Sequence, residues 1–257
     1  MTKKHISFSE LKTWAECPYK HKLKYIDGIN GFTGNAFTAF GTAIHSVCEF
    51  IAKGELDPID YDEHFDLAFL CELKKLEEKP DNQMIADMRQ QGREISPSVF
   101  PQLKKHFGDY EVYSTEEMLY ETIEELTYKW HLKGFIDLVI KTTDGKYHIL
   151  DWKSCSWGWD AKKRSEKLVT YQLTLYKKFF CKKHNIDPAD VETHFGLLKR
   201  TSKTDKVEIF RVTSGDRKTK NATKLLTNGC RTIKAGNYIK NRTGCKGCEF
   251  RHTEHCP

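Results

Sequence analysis

The fold of the chain is decided by KWHLKGFIDLVIKTTDGKYHILDWK, residues 129–153. Residues 129–140 are rich in β-branched and aromatic side chains, and residues 146–153 have a similar composition, so both segments are predicted to be strands. Residues 142–145 between them end in Asp-Gly, which is typical of a tight hairpin turn. The stretch therefore predicts an antiparallel hairpin.

Three ionisable residues in this hairpin predict metal-dependent chemistry. Asp151 and Lys153 share a face because strand side chains alternate, and a correct register places Asp137 beside them. Apolar neighbours such as Ile136 and Leu150 indicate partly buried carboxylates, which are costly unless they are paired or bind a metal. Two carboxylates suit Mg²⁺ or Mn²⁺, which can activate water, and Lys153 would orient that water or help to deprotonate it. The alternative is a surface ion pair.

Helices and further strands are expected around the hairpin. Apolar periodicity and capping residues predict helices, alternation predicts strands, and glycine or proline marks the breaks. The predicted helices are 9–14, 19–25, 41–52, 61–79, 82–94 and 164–184, with an interruption at 97–101. The other predicted strands are 117–128, 191–198 and 206–213, and the predicted loop is 27–40. This succession indicates a mixed α/β or α+β fold.

The nine cysteines argue against a disulfide framework, because the count is odd and the N-terminus lacks the apolar core of a signal peptide. They point to buried thiols, a metal site or both. Cys245 and Cys248 form a C-x2-C turn and Cys256 follows it, a pattern that suits zinc or an iron–sulfur cluster. The candidates for a fourth ligand are His252, His255 and Cys17. The cysteines expected to be small buried hydrophobes are Cys48, Cys71, Cys155, Cys181 and Cys230.

Charge is unevenly distributed along the chain. The formal net charge is +6, but residues 55–94 carry −7 and residues 199–224 carry +6. The basic segment is either a solvated, lysine-rich surface or a surface that follows a phosphate backbone. Mean hydropathy is −0.63 and no run of about 18 apolar residues exists, so no transmembrane helix is expected.

Three further features have both a structural and a functional interpretation. His45, in GTAIH on an apolar helix, is either a core histidine or a ligand. Gln172 and Tyr176 share a helix face at i and i+4, either as part of an ordinary amphipathic helix or as support for a site. Aromatic and basic residues after Asp151 suit base stacking on a single strand, or else core and loop packing. They are Trp152, Trp157, Trp159, Lys162, Lys163 and Arg164.

Together these segments resemble the PD-(D/E)xK nuclease superfamily, and within it the RecB-like branch with an iron–sulfur cluster, which includes CRISPR adaptation exonucleases and AddB-type nuclease domains. The matching motifs are GTAIH (41–45), GFID (134–137), DWK (151–153) and QLTLY (172–176), framed by Cys-Pro at 17–18 and the terminal cysteines. The resemblance spans residues 6–257. It implies a restriction-endonuclease-like central mixed sheet flanked by helices, with the cysteine tail packed on the N-terminal helix.

The resemblance also implies a role for each motif residue. The ligands of the divalent metal would be His45, Asp137, Asp151 and the backbone carbonyl of Trp152. The catalytic residues would be Asp137, Asp151 and Lys153. The residues that contact DNA or support the site would be Gln172, Tyr176, Lys162, Lys163, Arg164, Lys199 and Arg200. The ligands of a [4Fe-4S] cluster would be Cys17, Cys245, Cys248 and Cys256.

The cysteine tail departs from the family pattern in one respect. The family spacing is usually C-x2-C-x5-C, whereas this chain has C-x2-C-x7-C. The longer spacing makes Cys256 less secure as a ligand than the other two. It keeps His252 and His255 as candidates, with Zn²⁺ as the alternative metal.

The implied function is a metal-dependent DNA exonuclease acting on single strands or DNA ends, in recombination, repair, phage DNA metabolism or spacer acquisition, in a prokaryotic cytoplasm. The alternative is a non-catalytic DNA-binding or scaffolding subunit. One domain, 1–257, is expected, with a helical insertion at 55–110 and a cluster module of Cys17 and 240–257. No P-loop motif occurs, so a helicase, recombinase or adaptation-complex partner would act in trans, and no membrane partner is expected.

Overall fold

The structure, a computed structural model, describes residues 4–29 and 33–257. Within them, the strands of one sheet are β1 (His5–Ser7), β2 (Tyr110–Thr122), β3 (His131–Thr142), β4 (Tyr147–Cys155), β5 (Val191–Lys199) and β6 (Val207–Arg211). The α-helices are α1 (Phe8–Glu16), α2 (Pro18–His21), α3 (Ala36–Lys53), α4 (Tyr61–Lys74), α5 (Asn82–Phe107), α6 (Ala161–Ser165), α7 (Lys167–His184) and α8 (Asp216–Lys234). A π-helical turn, Lys22–Ile26, follows α2.

The sheet is mixed and is built around β3. Its order is β1-β3-β4-β5-β6, and β2 pairs along the other edge of β3. The β1–β3 and β4–β5 pairs are parallel, and the remaining pairs are antiparallel. Strands β1 and β4 share one edge of β3, because β1 pairs with residues 131–133 and β4 with residues 138–141. The stretch of β3 between these two pairings includes Asp137.

Helices cover both faces of the sheet, which confirms the expected mixed fold. On one face, α1, α7 and α8 pack against residues such as Ile149 and Phe195. On the other face, α3, α4 and α5 pack against residues such as Leu138, Leu150 and Trp152. No helix in the described ranges is long and apolar enough to cross a bilayer.

Helix α5 corrects the expected interruption at residues 97–101, because it runs through both Pro97 and Pro101. A proline inside a helix costs roughly 3 kcal/mol. The face of α5 that carries Ile95, Val99 and Leu103 is fully buried, and each such side chain contributes about 1.5–3 kcal/mol. Burial therefore offsets the two prolines.

Other boundaries differ from the expectation as well. Strand β2 spans Tyr110–Thr122 instead of residues 117–128, and helix α4 ends at Lys74 instead of residue 79. Helix α3 begins at Ala36, inside the predicted loop 27–40, because Asn35 and Thr38 form a capping box; residues 30–32 of that loop lie outside the described residues. The predicted helix 164–184 is divided at Glu166, whose ψ of 129° is extended. The basic segment 199–224 includes strand β6 and the first half of α8, a helix that the sequence did not reveal.

Of the five scattered cysteines that were expected to be buried, three are buried. Cys48, Cys181 and Cys230 are buried as expected. Cys71 is exposed on α4 and Cys155 is partly exposed, so the expectation was wrong for Cys71. A helix that lies on the surface keeps one face in water, and Cys71 lies on that face.

Candidate active site

The predicted catalytic residues lie where β4 separates from β3. The two strands pair as far as Leu138 and Leu150, and beyond that point β4 pairs along β5. Asp137 is the next residue on β3 and Asp151 is the next residue on β4. The hairpin register therefore brings both carboxylates to the fork between the strands.

Asp151 is held by a lysine and a glutamine. Its Oδ2 lies 2.5 Å from Nζ of Lys153, and its Oδ1 accepts a hydrogen bond of 2.9 Å from Nε2 of Gln172 on α7. The Asp151 side chain is 2% exposed, whereas that of Lys153 is 32% exposed. In this ion pair the Asp151 carboxylate is buried and the Lys153 side chain is partly exposed to solvent. The alternative interpretation, a surface ion pair, is therefore wrong.

The main chain of Trp152 joins His45 to Asp137. The Trp152 N–H donates to Oδ2 of Asp137 at 2.7 Å, and Nδ1 of His45 lies 3.6 Å from the same oxygen. The Trp152 backbone also lies close enough to the His45 ring to offset part of the lowering of its pKa. The indole packs against Gly196, where an added Cβ would lie 2.3 Å from the ring. The backbone of β4 is therefore held in place between Asp151 and Lys153. The indole of Trp152 is buried and cannot stack on a base.

Burial and mutual repulsion shift the titration of these groups. Burial, and then the Asp151 carboxylate, raise the pKa of Asp137 well above its usual range, and burial also raises the pKa of Asp151. Burial and the charge of Lys153 lower the pKa of His45 to about 4. Burial lowers the pKa of Lys153, but the two carboxylates outweigh it and the net shift is upward. Such a cluster is stabilised by an added cation.

The donors fit a hard divalent cation. They are one imidazole, two carboxylates and a main-chain carbonyl, and oxygen donors dominate the set. Oδ2 of Asp151 is buried against the Lys153 ammonium, so a cation bound at this oxygen would share it with the lysine. His45, Asp137 and Asp151 do not all lie within 4.8 Å of one another, so a cation would draw them closer together.

Gln172 and Tyr176 support the cluster from α7, as their spacing predicted. Gln172 Nε2 donates to the Tyr176 hydroxyl at 3.3 Å as well as to Asp151. The Tyr176 ring lies against β3, and a Cβ on Gly134 would be 2.8 Å from it. Gly134 of the GFID motif therefore gives the tyrosine room to approach the strand.

The predicted DNA-contacting cations differ in their exposure. Lys199 is 8% exposed and its Nζ lies 3.6 Å from Glu208, so it is not placed as a solvent-facing phosphate contact. Arg164 donates to the same Glu208 at 2.6 Å, and Arg200 lies over the Phe37 ring at 4.6 Å. Lys162 and Lys163 are exposed on α6. Among the predicted DNA-contacting residues, the exposed ones are thus Lys162 and Lys163 on α6, rather than Lys199 and Arg200 at the end of β5.

The three tryptophans near the hairpin have different surroundings. Trp152 is 1% exposed in the core, and Trp159 packs on Phe195 with ring centroids 5.0 Å apart. Trp157 is 75% exposed. Trp157 is therefore the one of the three that is free to stack on a base.

The four cysteines singled out in the sequence line one cavity of about 370 Å³. The cavity lies between the start of α2 and the C-terminal tail. The Asn241 backbone N–H donates to Sγ of Cys17 at 3.3 Å, and the Asn241 side chain donates to the Glu16 carbonyl at 2.9 Å. Lys20 and Glu249 add an ion pair of 3.0 Å across the same junction. The tail is thus packed on the junction of α1 and α2.

The two extra residues before Cys256 are absorbed by a tight turn. His252 has a φ of +60°, and its N–H donates to the Cys256 carbonyl at 3.0 Å. This turn brings Cys256 to the same cavity as the other cysteines. His252 also lines the cavity, whereas His255 does not.

Glu116 is a residue of this region that the sequence analysis missed. It lies on β2 between the pairs Thr115–Leu138 and Glu117–Ile136, hence at the register position opposite Asp137. Its φ of +47° is rare for a residue with a side chain, and such strain is concentrated at functional sites. Desolvation, and then nearby carboxylates that include Asp151, raise its pKa. No local motif signals it, because its position depends on the pairing of two strands.

Known proteins resemble this chain in fold and in sequence. In a search of solved structures, a protein of Eubacterium rectale named "Putative exonuclease" matches with 16% identity and a TM-score of 0.59, covering 99% of this chain and 90% of that chain. A protein named SSO0001 matches with 14% identity and a TM-score of 0.46, covering 97% and 85%. No curated protein matches the sequence. Residues 5–256 match the PD-(D/E)XK nuclease superfamily, and the chain therefore belongs to that superfamily.

Proposed function

We propose that the chain is a metal-dependent deoxyribonuclease of the RecB-like branch that works as an exonuclease on single-stranded DNA or DNA ends. The observation that carries the proposal is the fork between β3 and β4. There, the buried Asp151 and the partly exposed Asp137 lie beside Lys153 and His45, and the Trp152 N–H donates to Asp137. The name of the neighbour from E. rectale points in the same direction.

Each residue at the fork has a distinct role in this proposal. The groups that would hold Mg²⁺ or Mn²⁺ are His45, Asp137, Asp151 and the carbonyl of Trp152. A bound ion would supply an acidified water and would neutralise charge on the phosphate. Lys153 holds Asp151 and, being partly exposed, can also reach a phosphate oxygen or the attacking water. Gln172 fixes the orientation of Asp151 by occupying Oδ1.

The DNA strand would pass over α6 on its way to the fork. Lys162 and Lys163 are the exposed cations there, and Trp157 is an exposed aromatic ring that can stack on a base. Lys163 Nζ also lies 4.9 Å from the Trp159 ring, but its side chain is exposed. Arg164, Lys199 and Arg200 would contribute indirectly, since they are less exposed and contact protein side chains. The setting would be recombination, repair, phage DNA metabolism or spacer acquisition in a prokaryotic cytoplasm, with any helicase or recombinase partner in trans.

The test is an assay on end-labelled single-stranded and duplex DNA with Mg²⁺ or Mn²⁺. We expect mononucleotides or short fragments to be released from one end, and circular DNA to resist cleavage. Asp151→Ala should abolish the release, and Asp144→Ala in the exposed turn after β3 is the matched control. DNA binding without cleavage under either metal would instead support a non-catalytic scaffolding subunit. Cleavage that persists in Asp151→Ala would refute the site.

We also propose that Cys17, Cys245, Cys248 and Cys256 hold a [4Fe-4S] cluster, which forms a module with residues 240–257. A tetrahedral zinc with Zn–S bonds of about 2.3 Å brings its sulfurs to about 3.8 Å from one another. Within the described ranges, no three of these cysteines and His252 lie within 4.8 Å of one another. Either metal would therefore draw these side chains together, as at the fork, and the support for a cluster is the cavity of about 370 Å³, which has room for more than a single ion.

Replacing the distant cysteine tests this cluster. Cys17→Ser should remove the brown colour, the bound iron and the sulfide together. It should also lower the free energy of unfolding by roughly 4–5 kcal/mol, because the cluster closes a loop of more than 200 residues and a disulfide closing a comparable loop has an effect of that order. Cys71→Ser, at an exposed cysteine, is the control and should keep both the cluster and the stability of the wild type. One zinc per chain with no iron would contradict the proposal.

A further inference from the structure

A second polar cluster lies at the beginning of β4, outside the fork. His148 on β4 is the register partner of Glu192 on β5, and His194 lies two residues further along β5. Nδ1 of His148 is 3.1 Å from Nε2 of His194, and each of these nitrogens is 3.9 Å from Oε2 of Glu192. Three donor atoms therefore form a compact triangle that joins two adjacent strands.

The size of this triangle matches one face of a zinc coordination tetrahedron. With Zn–N and Zn–O bonds of about 2.0–2.2 Å, the donors of a tetrahedral site lie about 3.3–3.6 Å apart. The observed separations of 3.1–3.9 Å bracket that value. Two imidazoles and one carboxylate are also a donor set that zinc uses in proteins, with a fourth position for water.

The surroundings orient His148 and Glu192 toward the centre of the triangle. Nε2 of His148 is 3.0 Å from the hydroxyl of Thr142, and that hydroxyl also donates to Asp144 at 2.5 Å, so His148 donates through Nε2 and keeps an unprotonated Nδ1. Arg211 lies 3.0 Å from Oε1 of Glu192, which leaves Oε2 for the cluster.

Burial distinguishes this cluster from an ordinary surface network. His148 is 8% exposed and His194 is 3% exposed, and the Phe107 ring lies 5.0 Å from both imidazoles. Nδ1 of His194 is buried and has no hydrogen-bond partner in the described residues. Zinc bound through Nε2 of His194 would leave the ring proton on this Nδ1. What distinguishes the cluster is therefore the burial of its two imidazoles beside Glu192.

We propose that His148, Glu192 and His194 bind a zinc ion that fastens β4 to β5. The ion would replace the contact between the two imidazoles with two metal bonds and would use the free oxygen of Glu192. Its place is three residues before Asp151 on the same strand, so it would stabilise the strand pair that carries the fork. This site is independent of the proposed nuclease chemistry and of the cysteine module.

Cobalt(II) is the probe that separates this site from the cysteines. The purified full-length protein is stripped with a chelator, kept in excess Mg²⁺, and titrated with Co²⁺. We expect d–d absorption of a tetrahedral nitrogen and oxygen site, separate from any thiolate charge-transfer band that the cysteines give. Zinc should displace the cobalt and should raise the melting temperature. A wild-type protein that shows no such d–d absorption would overturn the proposal.

Variants assign the signal to these residues. Glu192→Gln and His194→Gln should each weaken zinc binding at least about tenfold and abolish the zinc-dependent rise in melting temperature. His106→Gln is the matched control, because His106 is a neighbouring histidine, 5.4 Å from His194 between ring centroids, that is not part of the triangle. If zinc affinity is the same in Glu192→Gln and wild type, the cluster is a hydrogen-bonded histidine pair and the proposal fails.

Discussion

Strand β4 carries two polar clusters within three residues of each other, and they differ in charge and in access to solvent. The fork cluster crowds Asp137 and Asp151 together and balances them with one lysine, and the side chains of Asp137 and Lys153 are 16% and 32% exposed. The cluster at the start of β4 has two buried imidazoles and one carboxylate beneath Phe107. Excess negative charge with access to solvent suits a reaction centre, whereas a covered and nearly balanced cluster suits a structural ion.

The largest expected effect separates the two clusters by activity. Asp137→Asn should lower nuclease activity by about 10³-fold, or about 4 kcal/mol, because a neutral amide binds a hard cation more weakly while it can still accept from the Trp152 N–H. Its melting temperature should not fall, because a carboxylate that repels Asp151 is removed. Steady-state rates and thermal melts measure the two effects.

The matched variant at the other cluster is Glu192→Gln, for which the opposite pattern is expected. It should keep most of the nuclease activity measured with saturating metal and should lose the stability that zinc provides. If both variants lose activity equally, the two clusters act as one site and the contrast between them is lost.

A smaller effect tests how strongly α7 supports the fork. Gln172→Ala removes the donor to Oδ1 of Asp151 and should lower the nuclease rate roughly 10- to 100-fold, the usual effect of removing a group that orients a metal ligand. The metal concentration needed for half-maximal activity should rise as well. Gln83→Ala, on the surface of α5, is the control. An unchanged metal requirement would mean that Asp151 is oriented without Gln172.

The corresponding test at the other cluster removes the partner of His148. Thr142→Val should weaken zinc binding by about tenfold, because Nε2 of His148 loses the acceptor that fixes its tautomer. Thr143→Val, at the exposed neighbouring position, should leave zinc binding as it is. Equal zinc affinities in the two variants, measured by competition with a chelating dye, would show that the tautomer is set elsewhere.

The smallest expected effect concerns Tyr176. Its hydroxyl accepts a long hydrogen bond of 3.3 Å from Gln172, so Tyr176→Phe should lower the nuclease rate only about two- to fivefold, in line with a neutral hydrogen bond of about 0.5–1 kcal/mol. A loss comparable to that of Gln172→Ala would indicate that the hydroxyl itself contacts DNA. Measurements of KM and kcat separate these outcomes.

The sequence predicted the fork because its chemistry is concentrated in short segments. Asp137, Asp151 and Lys153 lie on one hairpin, and the turn and the alternation of side chains set their register. Gln172 and Tyr176 were found from their helical spacing, and the structure places the Gln172 amide on Asp151. Spacing placed Gln172 and Tyr176 on one helix face, and the resemblance to the nuclease superfamily supplied their expected role.

The residues that were missed depend on pairing between distant strands. Glu116 reaches the fork only through the register of β2 with β3, and Glu192 meets His148 only because β4 and β5 are parallel neighbours. Neither of these two contacts corresponds to a characteristic spacing along the sequence. Exposure was misjudged at Lys199 for a related reason, since Glu208 on β6 pairs with a lysine that the sequence marks only as basic.

The packing of Trp152 on Gly196 has a consequence for how the fork tolerates change. The group that Trp152 would offer to a metal is its main-chain carbonyl, which every amino acid possesses. What the residue itself supplies is volume, and Gly196 leaves space on β5 for that volume. The side chains at positions 152 and 196 should therefore vary together, a larger one at one position with a smaller one at the other. Substitution of Trp152 should leave the metal-binding groups of the site unchanged.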